Sequence, residues 1–96
     1  MFATIRRYQG KPGQTDETIR RVQKGLIPIL IKQPGFVSYH AIDAGKDVAV
    51  SVSIYKDRAA ADAGNQAAAA WVKQNLADLI GAADVTVGEV RAAAHT

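Results

Sequence analysis

The sequence predicts an α+β domain in which two helices lie on one face of a four-stranded antiparallel sheet. Hydrophobic period and turn signals change along the chain in the order strand, helix, strand, strand, helix, strand. The clearest strand alternates Val48, Val50, Val52 and Ile54 with Ala49, Ser51, Ser53 and Tyr55. The 96 residues are 48% apolar, but eighteen of them are alanine and only twenty-eight are larger apolar residues. That supply suits one small domain with a thin core, which gains by burying surface against a second copy of itself.

The first strand is Phe2 to Tyr8, rich in β-branched and aromatic residues and ended by Gly10 and the turn Lys11-Pro12-Gly13. Thr15 is expected to cap a helix that Asp16 and Glu17 favour at its start. Ile19, Val22, Leu26, Ile29 and Leu30 would form its apolar face, Pro28 would bend it, and Pro34-Gly35 would end it. Phe36 to Ile42 and Val48 to Tyr55 read as a hairpin joined by a loop from Asp43 to Asp47. Asp57 is expected to cap an alanine-rich helix running to about Leu79, with Gly81 as its stop. A last strand is expected from Val85 to about Ala92, with residues 93–96 frayed.

This order is that of the ferredoxin-like fold, βαββαβ, here in a single domain over residues 1–96. Both helices on one face leave the other face of the sheet bare. With Val, Ile and Tyr on these strands, that bare face predicts packing on a second subunit, a homodimer.

Net charge is +3, and the basic residues are scattered without the clusters that track phosphates, so nucleic acid is not an expected partner. No apolar run is long enough to span a bilayer and no signal-peptide pattern opens the chain, so a cytoplasmic protein with no membrane partner is expected. The absence of cysteine removes disulfides, thiolate metal sites and thiol nucleophiles. Phosphate loops, nucleophile elbows and nucleotide fingerprints are missing as well.

The second helix carries the most suggestive residues. A 3.6-residue period puts Asn65, Ala68, Ala69, Val72, Leu76 and Leu79 on its buried stripe, with Trp71 at the border. Either Asn65 bonds to nearby backbone while Trp71 fills the core, or both line a small-molecule pocket between helices and sheet. His40 is the one histidine in a predicted element, suited by its neutral-range titration to act as a base or to sit at an interface. It has no second ligand at metal-binding spacing, and neither metal nor cofactor is expected. Arg6 and Arg7 must point to opposite faces of the first strand. The one that is buried needs either an ion pair across a dimer, with Glu89 or Asp43, or an anionic ligand. Tyr8, Tyr39 and Tyr55 are phenolic donors or amphipathic edge residues.

The opening Phe2 to Tyr8, the turn Lys11-Pro12-Gly13, Pro28 in the first helix, Pro34-Gly35-Phe36, and Tyr55-Lys56-Asp57 together resemble the antibiotic biosynthesis monooxygenase superfamily of dimeric α/β barrels. The likeness runs from about Met1 to Arg91. It implies two ferredoxin-like subunits packed sheet to sheet, each with a ligand pocket between its sheet and helices. Haem-degrading members carry an Asn on the first strand, where this chain has Thr4, Arg6 and Tyr8, and a His near the second helix, which has none. Quinone-forming members use an Asn, a Trp and a Tyr around that helix. Asn65 and Trp71 match in type, six residues apart, and no tyrosine follows. The resemblance therefore implies a cofactor-independent monooxygenase acting on a small aromatic or carbonyl compound, or an isomerase or a non-catalytic binding dimer on the same scaffold. Its expected catalytic residues are Asn65, Trp71 and His40, and its expected substrate contacts are Arg6, Tyr8, Tyr55 and Val72.

Overall fold

A computed structural model describes residues 1–96. The elements are β1 (Phe2–Gly10), α1 (Thr15–Arg21), a π-helical turn (Val22–Leu26), α2 (Ile27–Leu30), β2 (Phe36–Gly45), β3 (Val48–Tyr55), α3 (Arg58–Asn75) and β4 (Ile80–Glu89). The sheet is antiparallel in the order β2-β3-β1-β4, and α3 crosses its centre. This is the predicted ferredoxin-like arrangement.

The first helical arm departs from the sequence expectation at its start and in its middle. The N-cap is Gln14, not Thr15, and its side chain makes no capping bond. Gly13 is held instead from the next turn, where Asp47 Oδ1 accepts its N–H at 3.0 Å. Pro28 cannot donate a backbone hydrogen bond, and the wider π turn stands directly before it, where the ladder is interrupted. The π turn also resets the buried face. Thr18, Val22, Leu26 and Leu30 are buried at strict four-residue spacing, which a regular α-helix would rotate off the core, while Ile29 is 38% exposed rather than inward.

Three other boundaries shift. β2 runs on to Gly45, so the expected five-residue loop shrinks to Lys46-Asp47, both at positive φ (53° and 64°) as a twist-matched two-residue hairpin turn requires. Asp57 caps α3 as expected, its Oδ1 accepting from the Ala60 N–H at 2.9 Å. The helix stops at Asn75, not Leu79, because the Leu76 carbonyl accepts from the amides of both Leu79 and Ile80 and closes a turn. Gly81 therefore lies in β4, which begins at Ile80 and ends at Glu89; pairing with β1 overrides the low strand propensity of Gly81-Ala82-Ala83. On α3 the buried positions are Ala61, Gly64 and Ala68, and Ala69 is exposed.

Cross-strand partners share a face, so the ladders assign the two sides of the sheet. Thr4 opposes Ser53, Arg6 opposes Ser51 and Tyr8 opposes Ala49, and Thr4, Arg6, Tyr8, Ser51 and Ser53 are buried beneath the helices. On the open side, Ile5 opposes Val52, Arg7 opposes Val50 and Ala3 opposes Ile54. The more apolar face of β3 is thus the uncovered one, and the mixed face carries the core. That core joins Tyr8 to Val22, Leu26, Leu30, Ala68, Leu76, Leu79 and Ile80.

Candidate functional site

A cavity of about 30 Å³ lies between the sheet, the first helical arm and α3. Its floor is Arg6, Tyr8, Tyr39 and Ser51; its roof is Thr18, Val22 and Leu26 on one side and Ala68, Val72 and Leu76 on the other. The lining is mainly apolar, and the polar groups come from the sheet apart from Thr18 on the roof. An enclosed space that holds benzene measures about 150 Å³, so a ring enters here only when wall side chains move. Val22 and Leu26 belong to the π turn, a geometry that concentrates at functional sites.

Arg6 is 6% exposed, and its Nη2 donates to the Asn65 backbone carbonyl at 3.3 Å. Burial pushes the phenols of Tyr8 and Tyr39 above their ordinary range; the Arg6 charge pulls both the other way, as does the Ser51 hydroxyl for Tyr39. Both tyrosines are therefore neutral hydrogen-bond donors at neutral pH.

Asn65 lies beside this cavity without lining it. Its Nδ2 donates to Thr4 Oγ1 at 2.8 Å, while its Oδ1 is buried without a partner. Ser53 Oγ and Tyr55 Oη are also buried and unpaired under α3. Gly64 makes the room for Tyr55, since a Cβ there would collide with the phenol. Trp71 packs over Gly25 of the π turn rather than into the cavity. His40 opposes Val52 and is exposed on the open sheet face, away from the cavity.

Of the residues singled out from the sequence, Arg6, Tyr8 and Val72 line the cavity, and Asn65, Trp71, Tyr55 and His40 do not. Ser51 and Tyr39 join the floor. Their faces follow from register, Ser51 opposite Arg6 and Tyr39 opposite Ser53. A bulge between Phe36 and Ser38 sets the β2 register, and the sequence carries no mark of it.

A four-stranded ferredoxin-like sheet with a small, mostly apolar cavity under its helices defines a class of α+β domains. Residues 1–73 match the antibiotic biosynthesis monooxygenase family, and the chain belongs to it. Members of this family with known structure assemble as dimeric α/β barrels. A protein of unknown function from Nitrosomonas europaea has 23% identity over 99% of this chain and 93% of its own, with a TM-score of 0.83. The ActVA-Orf6 monooxygenase of Streptomyces coelicolor, in complex with nanaomycin D, has 17% identity over 99% of this chain and 91% of its own, with a TM-score of 0.77. A variant of MhuD with two manganese protoporphyrin IX molecules per active site has 18% identity over the full length of both chains, with a TM-score of 0.78. No curated protein sequence matches the chain. No helix is long and apolar enough to cross a membrane.

Proposed function

We propose that the protein is a cofactor-independent monooxygenase-like enzyme that oxidises a small aromatic or carbonyl compound in the cavity between sheet and helices. The observation that carries this reading is the cavity's division of labour. Val22, Leu26, Val72 and Leu76 offer an apolar wall for a ring, while Tyr8 and Tyr39 offer phenolic donors to an oxygen of that ring. The nanaomycin D and porphyrin held by two structural relatives support a cyclic, largely planar ligand.

In this reading a substrate that has ionised to a phenolate or enolate is held by the Tyr8 hydroxyl, and its electron-rich carbon reacts directly with O₂. The reacting CH₂, which for a phenol is that of its keto tautomer, becomes C=O, one oxygen atom stays in the product and the other leaves as water, so no external reductant is consumed. Asn65 acts as a positioning residue that ties Thr4 and the Arg6 side chain to α3. Trp71 supports the π turn that carries the wall. His40 belongs to the sheet face that packs on a second subunit, together with Ile5, Ile42 and Val52. The protein works as a homodimer through that face.

A second reading, a non-catalytic small-molecule-binding homodimer, is favoured by one observation. The titrating side chains other than Arg6 that face the cavity are phenols kept protonated by burial, which neither accept a proton at neutral pH nor serve an isomerase as a base. Oxygen-electrode assays with anthrones, hydroquinones and dihydroxyaromatic compounds separate the two. The enzyme reading expects oxygen uptake that falls about a hundredfold in Tyr8→Phe, with smaller losses in Asn65→Ala and Trp71→Phe. Binding of the same compounds without oxygen uptake establishes the second reading in its place.

A further inference from the structure

Arg6 brings a guanidinium cation under the helices with no anion to meet it. Each acidic group that makes a side-chain contact is engaged elsewhere: Glu17 with Arg20 and Arg21, Asp78 with Arg21, Glu89 with Arg91, and Asp43, Asp47 and Asp57 with backbone amides. The one hydrogen bond from Arg6, Nη2 to the Asn65 carbonyl, leaves most of its N–H donors unpaired. Arg7, its neighbour, points to the open face of the sheet and is exposed in the single chain. A cation nine-tenths buried whose one hydrogen bond goes to a neutral carbonyl is poorly compensated, and Arg6 lines the cavity.

The hydroxyls around it can donate as well. The Tyr8 phenol stands on the same strand face, and the Ser51 hydroxyl lies directly opposite Arg6 on β3. This arrangement calls for a group that only accepts hydrogen bonds, carries one negative charge, and presents two oxygens in a plane. A neutral carbonyl leaves the charge unbalanced, and a phenolate offers one oxygen. A dianionic phosphate brings more charge than one arginine balances. An ionised carboxylate meets the guanidinium fork at two points and keeps lone pairs for the Ser51 hydroxyl.

We infer that the ligand of this cavity is a small aromatic carboxylic acid, its carboxylate gripped by Arg6 and its ring covered by Val22, Leu26 and Val72. The inference rests on the reading of this cavity as the substrate site, and it narrows the substrate to hydroxylated aromatic acids. Arg6 then anchors the acid, and Tyr8 remains free for the oxygen at the reacting end.

Calorimetric titration of the intact protein with benzoate, salicylate and phenylacetate, each against its primary amide, tests this. At least one acid should bind on the order of thirtyfold tighter than its amide, and Arg6→Gln should abolish the difference. Arg6→Met should lose acid binding while the unliganded protein melts at the same or a higher temperature, because an unbalanced buried charge has been removed. Equal binding of acids and amides, no acid binding, or a lowered melting temperature in Arg6→Met would overturn the inference. Oxygen uptake tells its failure from that of the enzyme reading. Acids that bind through Arg6 without consuming oxygen leave the inference standing and remove the oxygenase. Neutral hydroquinones oxidised as fast as hydroxybenzoates do the reverse.

Discussion

The indole of Trp71 rests directly on Gly25: a Cβ built at Gly25 would lie 2.6 Å from Trp71 Cζ2 and 2.8 Å from its Nε1. The contact joins α3 to the π turn, whose Val22 and Leu26 roof the cavity. Glycine in a helical turn normally costs about 0.5–1 kcal/mol relative to alanine, so Gly25→Ala would stabilise an unencumbered helix. Here the sign reverses. Gly25→Ala is expected to destabilise by about 1–3 kcal/mol, read by denaturant unfolding, with a change in Trp71 fluorescence. Trp71→Phe in the same chain should recover part of the loss, which separates a collision with the indole from a general backbone effect.

Tyr55 and Gly64 form a second close pair, with a different prediction. The Tyr55 phenol is fully buried, abuts Gly64, and has no hydrogen-bond partner. Tyr55→Phe removes an unsatisfied polar group and keeps the ring, including its edge-on contact with Phe36 at 5.9 Å between centroids. Its stability should stay within about 1 kcal/mol of the wild type or rise. Gly64→Ala should destabilise, and less so when combined with Tyr55→Phe.

Glu17 links acid stability to the first helical arm. It accepts two hydrogen bonds from Arg20 and one from Arg21 at 2.7–2.8 Å, and these lower its carboxyl from an ordinary 4.5 to about 2. A depressed carboxyl contributes stability above its unfolded value and loses it as pH falls toward the folded one. The melting-temperature gap between wild type and Glu17→Gln should therefore be full above about pH 5 and close between about pH 4.5 and 2. High salt should narrow it at every pH, since the network is at the surface.

The open sheet face predicts the assembly. Val52 sits at its centre, opposite Ile5 on one side and His40 on the other. Val52→Lys puts an unpaired charge into a sheet-to-sheet contact and leaves the helix side untouched. Sedimentation velocity at micromolar concentration should show a dimer for the wild type and a monomer for the variant; a folded wild-type monomer would refute the homodimer.

Much of this molecule was legible in the chain. Alternation from Val48 to Tyr55 located β3 to the residue, and Asp57 located the start of α3, because both signals are local. The end of α3 and the start of β4 were not legible. Leu76, Leu79 and Ile80 fit a helical stripe as well as they fit a turn leading into a strand, and only the turn closed on the Leu76 carbonyl decides between them. The cavity was half legible. Arg6, Tyr8 and Tyr39 stood out by type and Val72 by helical period, whereas Ser51 joins them, and Tyr39 takes the cavity face, through strand register alone.

Period-two alternation by itself determined that Arg6 and Arg7, or Ser51 and Val52, must part to opposite faces, and the order of elements determined the fold. Which face turns inward was decided by tertiary structure. An alternating strand is symmetric with respect to its two sides until helices pack on one of them. Here α3 and the first helical arm cover the side with Thr4, Arg6, Ser51 and Tyr55, and Val52 and Ile54 of β3 are left on the other. That choice buries a cation beside a cavity and leaves the apolar face open.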